Sequence, residues 1–291
     1  MVAEIRRWQV GDVRISRLIE VGPVEVPPDA LFPDATPGHV QKVAWLHPHF
    51  ATPDGQIKLN FQCFLIEIGG RRILVDTCVG EHKRLAVELL NNLVTGFLET
   101  LKAAGAGPDD IDTVLCTHLH FDHVGWNTRL VNGTWQPTFP KARYLFGREE
   151  IAFALANPAH EGDESLTESV KPILDAGLAD SVESDHRLCD EIRLIPTPGH
   201  TPGHVSVWIA SRGEEAVITG DAVHHPLQIA HPEIVSSFCH EPARGAETRR
   251  QLFRRLAGEP VLVIGTHFTE PTAGFLVRDG ETWRLDLDAT H

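Results

Sequence analysis

The stretch that most constrains this chain is "IDTVLCTHLHFDHVGW" at residues 111–126. Its first seven residues are short, apolar and β-rich, and they predict a buried strand. The six positions that follow the strand and Thr117 hold three histidines and an aspartate, from His118 to His123. A fold that accepts this stretch must end a buried strand in a loop crowded with metal-capable side chains. Histidine is also the outlier of the composition, with 17 copies beside one Met and one Tyr.

The arrangement recurs downstream. Strands are predicted at 191–197, 204–210, 215–220 and 261–265. His200 follows the first of these in "TPGHTPGH", Asp221 follows "EAVITG", and His267 follows "VLVIG". Strand ends on one side of a sheet form a rim, where rigid scaffolds mount chemistry. The donors are imidazole and carboxylate, which suit zinc or a similar borderline ion. Cys116 is predicted to point into the core, so no thiolate joins the set. In "HLH", His118 and His120 share one side of an extended segment and can grip one ion. Asp122 and His123 can turn to a second. His200 can complete one site, His267 the other, and Asp221 can bridge them. A lone HxH would be weak evidence, but five histidines and two aspartates, each opening a loop after a strand, form a set. A purely structural zinc is more usually held in a closed, cysteine-rich site, so the pattern favours a catalytic centre.

The rest of the chain supplies a scaffold of mixed type. "VRISRLIE" (13–20) predicts a strand, and a Pro-rich loop follows from 22 to 53. "NFQCFLIEIGGRRILVDT" (60–77) predicts a hairpin turning at Gly69-Gly70. Apolar residues at helical spacing (Leu85, Leu89, Leu93, Phe97, Leu101) predict a helix over 84–104. Further helices are predicted at 148–156, 165–176 and 243–257, and a last hairpin at Asp279-Gly280. Strands interleaved with helices throughout predict one α/β-type domain of layered sheets over 1–291.

Bulk properties exclude several partners. A formal charge of -14 argues against nucleic acid and anionic membrane, which reward clustered Lys and Arg. Arg249, Arg250, Arg254 and Arg255 are expected to form a solvated helix face. The first residues show no signal-peptide pattern, and no apolar run approaches the length of a membrane span. Five scattered cysteines without a CxxC pair fit reduced thiols. The expectation is a cytoplasmic protein.

"THLHFDH" followed by "GHTPGH", "TGDAVHH" and "GTHF" resembles the metallo-β-lactamase-fold hydrolases, with their H-x-H-x-D-H…H…D…H pattern. The resemblance covers about residues 60 to 270. It implies a four-layer αβ/βα sandwich and two divalent metal ions, zinc first, with manganese, cobalt or iron suited to the same ligands. It assigns His118, His120 and His200 to one ion, and Asp122, His123 and His267 to the other, with Asp221 bridging. Asp76 in "ILVDT" matches a supporting aspartate, and Thr117 and His204 are further supporting candidates. The implied chemistry is attack by a metal-bridging hydroxide on a carbonyl or phosphoryl centre, with Asp122 carrying the proton.

Departures narrow the substrate. Asp221 is a bridging ligand that the β-lactamases of this fold lack. Thioesterases of the glyoxalase II type carry a basic helical extension, whereas a hairpin is predicted after His267. What remains closest is the lactonase branch, similar to methyl parathion hydrolase and its lactonase cousins, in which homodimers are common. There a His stands at the position of His224 and can hydrogen-bond a substrate oxygen. The reading is therefore a lactone or carboxylic-ester hydrolase, of the N-acyl-homoserine lactonase kind, acting on a small molecule. Organophosphate triester or aryl ester hydrolysis is the alternative, and a metal-binding protein without turnover is the reading from a different class. The loop 22–53 is expected to cover the substrate. Trp45, Phe50, Phe121, Trp126, His225, Phe238 and Phe268 are the candidate pocket side chains.

Overall fold

The computed structural model describes residues 5–157 and 164–287. The ends and the 158–163 segment of the expected 1–291 domain lie outside the described residues. Two compact units emerge: residues up to Val21 with Phe61–Glu183, and Gly22–Asn60 with Ser184–His291.

A seven-stranded sheet belongs largely to the first unit. It is built from β1 (Arg7–Val10), β2 (Val13–Val26), β3 (Ile57–Ile68), β4 (Arg71–Val75), β5 (Thr113–Leu115), β8 (Arg143–Gly147) and β9 (Ala179–Val182), in that spatial order. The antiparallel β3–β4 hairpin turns at Gly69-Gly70 as its sequence predicts, whereas β4, β5, β8 and β9 run parallel. A ribbon of β6 (Thr128–Val131) and β7 (Thr134–Pro137) stands apart from the sheet. The core gathers Leu65, Leu74, Val114, Tyr144 and Phe146 with Phe97 and Leu101 of the helix Phe97–Ala104.

The helix expected over 84–104 is shorter than its spacing predicts. Only Phe97–Ala104 is α-helical, preceded by a single 3-10 turn at Glu88–Leu90. Asn92 sits at φ 53 and breaks the run, and Leu89 of the apolar series is 53% exposed, so the spacing does not belong to one continuous buried face. The Glu81 carboxylate accepts the Thr95 and Gly96 N–H groups and fixes the start of the helix at Gly96.

The second unit carries a six-stranded sheet: β10 (Ile192–Pro196), β11 (Val205–Ser211), β12 (Glu214–Ile218), β13 (Val261–Ile264), β14 (Ala273–Asp279) and β15 (Thr282–Asp286) in sequence order. Only β12 and β13 pair in parallel, and a long helix, Pro242–Leu256, connects them. This helix buries Leu252, Phe253 and Leu256 in the unit's core, beside Val217, Val261, Val263 and Trp283. The expected loop 22–53 continues as strand to Val26 and then folds into short turns and the helix Pro37–Lys42. Phe32, Leu46 and Phe50 anchor it in the same core. The mixed α/β class predicted from the sequence is the one observed. No described helix is long and apolar enough to cross a membrane.

Candidate functional site

In the first unit, β5 ends at Leu115 and delivers Thr117, His118, His120, Asp122 and His123 to one place. The rings of His118 and His120 lie 4.5 Å apart between centroids, and those of His118 and His123 4.0 Å apart. One short helix, Phe121–Val124, carries Asp122 and His123. Asp76, at the end of β4, organises the set. Its Oδ1 accepts the Thr117 N–H at 2.7 Å, and its Oδ2 accepts the Thr117 hydroxyl at 3.0 Å and lies 2.9 Å from His123 Nδ1. Asp76 does this from φ 61, a left-handed conformation that costs a non-glycine residue about 1–3 kcal/mol. Strain of this kind is retained where the surrounding bonds over-determine it.

These bonds fix the tautomers. A carboxylate only accepts, so Nδ1 of His123 carries the proton and Nε2 presents a lone pair. Thr117 spends its hydroxyl proton on Asp76, so its oxygen accepts from His118 Nδ1 at 3.1 Å, and His118 likewise presents Nε2 as a base. Nε2 of His123 lies 3.7 Å from Asp122 Oδ1. Imidazole nitrogens and a carboxylate brought together in this way suit a cation.

Gly125 lets the backbone after this cluster close. A Cβ there would stand 1.8 Å from the Val79 carbonyl oxygen, and the Gly125 N–H donates to the Cys78 carbonyl at 2.8 Å. The loop after β4 therefore runs in backbone contact with the "HVGW" turn. Thr77 N–H donates to the His123 carbonyl at 2.7 Å and binds the same two segments.

The second unit holds a cluster around Asp221. His200 Nε2 and His224 Nε2 approach its Oδ2 at 3.4 and 3.2 Å, and His267 Nε2 approaches its Oδ1 at 3.1 Å. His200, Asp221 and His224 form a buried group with the donors and spacing to hold a metal ion. His267 Nδ1 lies 2.8 Å from the Asn60 carbonyl oxygen, which cannot donate, so Nδ1 carries a proton and Nε2 is the nitrogen turned to the carboxylate. His204 serves the backbone rather than a ligand ring. Its Nε2 accepts the Asp221 N–H at 2.9 Å, while Nδ1 lies 3.1 Å from the Thr197 carbonyl. Gly199 sits at φ 134, and a Cβ there would come within 2.2 Å of Gly245 N, so His200 enters the site from a turn packed on the long helix.

His224 and His225 follow the cluster and differ. His224 is buried, with Nε2 3.2 Å from Asp221 Oδ2. Burial depresses its pKa, and the charge of Asp221 opposes that shift. His225 is fully satisfied: Nε2 donates to the Phe50 carbonyl at 2.8 Å, and Nδ1 accepts the Leu227 N–H at 3.0 Å. Burial pushes its pKa down to about 4, so it remains a neutral staple between the 50s segment and this turn.

The expected pocket side chains divide by environment. Phe50 and Phe268 are fully buried, with ring centroids 6.0 Å apart, in the second unit's core. Trp126 stacks on Phe97 at 5.5 Å and donates Nε1 to Glu20 in the first unit. Phe121 is buried beside the first cluster, whereas Trp45 and Phe238 are half-buried on the second unit's core. Cys116 is buried as expected, and no disulfide links the five cysteines. Arg249 departs from the solvated-face expectation. It is fully buried, because it falls on the inward stripe of its helix with Ala246, Leu252, Phe253 and Leu256.

The description of the family model matching residues 62–288 is "Metallo-beta-lactamase superfamily". An N-acyl homoserine lactonase of Bacillus thuringiensis is 29% identical over 179 residues, 57% of this chain and 65% of that protein. The match thus spans just under two thirds of that relative's length. Among solved structures, hydrolase AbOPH of the beta lactamase superfamily superposes with a TM-score of 0.81 at 25% identity, covering all of both chains. AidC, a dizinc quorum-quenching lactonase in complex with a product N-hexanoyl-L-homoserine, gives a TM-score of 0.81 at 20% identity. It covers 100% of this chain and 99% of its own, a likeness of fold.

Proposed function

Since the chain belongs to the metallo-β-lactamase superfamily, we propose that its two clusters serve one dinuclear metal centre that hydrolyses lactones or related carboxylic esters, within one functional domain. In this reading His118, His120 and His200 hold one divalent ion, and Asp122, His123 and His267 hold the other. Asp221 bridges the two, and zinc is the first candidate. The observation that carries it is the direction of the imidazoles. His123 and His267 each commit Nδ1 to an acceptor and turn Nε2 toward a carboxylate, an arrangement that a bound cation stabilises. Bound divalent ions would supply an activated water at neutral pH and stabilise charge on the substrate oxygen.

The chain's own residues supply the rest. Asp122 accepts the proton of the attacking water and returns it to the leaving alkoxide as the ring or ester C–O bond breaks. His224, buried beside Asp221, donates to the carbonyl oxygen of the substrate. Trp45 and Phe238, half-buried on the second unit's core, offer apolar surface to an acyl chain. The similarity to an N-acyl homoserine lactonase supports a lactone as the first substrate class. Five cysteines without a disulfide fit a reducing, cytoplasmic setting.

The test is steady-state kinetics of the zinc-loaded protein on acyl-homoserine lactones, simple lactones, aryl esters, a phosphotriester, a thioester and a chromogenic β-lactam. Lactones or aryl esters are expected to give the highest kcat/KM. A dominant β-lactam or thioester activity would overturn the substrate assignment.

A further inference from the structure

The second unit contains a buried cation that no step above uses. Arg249, on the helix Pro242–Leu256, is 0% exposed and among the largest fully buried side chains of the protein. Its guanidinium meets carbonyl oxygens: Nη1 donates to Ala222 at 3.1 Å, Nη2 to Ile234 at 2.8 Å and Nε to Pro232 at 3.2 Å. None of these three partners is a carboxylate. Burial is costly for a charge and lowers the Arg249 pKa to about 10, against the opposing charge of Glu233, which still leaves it protonated at neutral pH.

All three acceptors lie on the segment 222–234, which leaves Asp221 and carries His224. Ala222 directly follows Asp221, and the His224 N–H is held by Gln228 Oε1 at 2.8 Å on the same segment. Gln228 in turn donates to the Ile234 carbonyl at 2.9 Å, the group that Arg249 Nη2 also grips. A planar fork with several donors can hold three diverging carbonyls at once, and a lysine ammonium cannot reproduce that geometry. His204 accepts the Asp221 N–H from another side.

We propose that Arg249 is a positioning residue for the proposed metal centre, its three-carbonyl clamp fixing the turn that presents Asp221 and His224. This rests on the reading of Asp221 as a bridging ligand. An apolar residue on the inward stripe would pack the helix as well. The clamp predicts instead that its loss disturbs ligand geometry more than it disturbs folding.

The test compares wild type with Arg249→Lys and Arg249→Met by thermal unfolding, by titration of the metal-free proteins with zinc, and by kinetics on a short-chain acyl-homoserine lactone. The expected result for folded Arg249→Met is a tenfold or greater weakening of at least one zinc equivalent. After saturation with zinc, its kcat is expected to fall at least tenfold with KM within about threefold. Arg249→Lys should fall between the two, and it decides the matter alone if the Met variant does not fold. Wild-type zinc binding and kcat in either folded variant, whatever the unfolding temperature, would overturn the proposal. Wild-type protein that neither binds zinc nor hydrolyses the lactone would instead overturn the reading on which it rests.

Discussion

His267 faces Asp221 with Nε2 3.1 Å from Oδ1, while its Nδ1 is committed to the Asn60 carbonyl oxygen at 2.8 Å. A ring nitrogen and a carboxylate oxygen are thereby held at close range by bonds made elsewhere. His123 repeats the arrangement in the other unit, with Asp76 behind it and Asp122 in front. In both places the outer hydrogen bond sets which nitrogen is available, and that selection makes an imidazole a ligand.

Asp76→Asn tests this selection. The amide keeps the shape and one oxygen for the Thr117 N–H, but it turns an NH2 group toward His123 Nδ1 and the Thr117 hydroxyl. Zinc affinity is expected to fall about 10–100-fold with the circular dichroism spectrum retained. Calorimetric titration of the metal-free variant measures it, and unchanged affinity would contradict the role assigned to Asp76.

Gly125→Ala tests the backbone contact beneath the first cluster. The new Cβ would meet the Val79 carbonyl oxygen at 1.8 Å, a collision with backbone that no rotamer relieves. A loss of more than about 4 kcal/mol is expected, seen as loss of soluble protein or of the folding transition in urea. An alanine variant with wild-type unfolding would show that the loop after β4 can move.

Lys83 gives the stability a pH dependence. It is buried, donates to Thr128 Oγ1 at 2.7 Å and to the Glu168 carbonyl at 3.3 Å, and lies 3.5 Å from the Trp135 ring centroid. Burial lowers its pKa from 10.5 to about 7, with the charges of Glu168 and Glu20 opposing the shift. Between those values the unfolded chain binds more protons than the folded one, so stability rises with pH, by at most about 1.4 kcal/mol per unit. Below pH 7 both states hold the proton and the cost of burying the charge is present in full. Urea unfolding from pH 6 to 10 should show this rise in wild type and its absence in Lys83→Met. Parallel profiles would contradict it.

Much of the candidate site was legible because each proposed ligand directly follows a predicted strand. The parity of "HLH", the "GHTPGH" turn and the single residues Asp221 and His267 all carried that signal. The long hairpins were legible for a similar reason, since Gly69-Gly70 and Asp279-Gly280 punctuate alternating runs. The helix over 84–104 is shorter than its spacing predicts because apolar spacing does not report whether a core lies opposite; Leu89 faces solvent. The strands β6 to β9 escaped notice, being four or five residues long. The charge of Arg249 predicts a solvated position, whereas its spacing from Ala246, Leu252 and Phe253 places it on the inward face. Neither the tautomers nor the His204–Asp221 bond could be read in one dimension, because both depend on atoms brought together by different strands.

The most direct test of the central claim is a zinc titration of the metal-free chain, followed at each point by hydrolysis of an acyl-homoserine lactone. Two bound equivalents per chain are expected, with hydrolysis that appears with them and loss of both on chelation, reversed by adding zinc back. A chain that saturates with one equivalent or none, or that hydrolyses the lactone equally well after chelation, would contradict it.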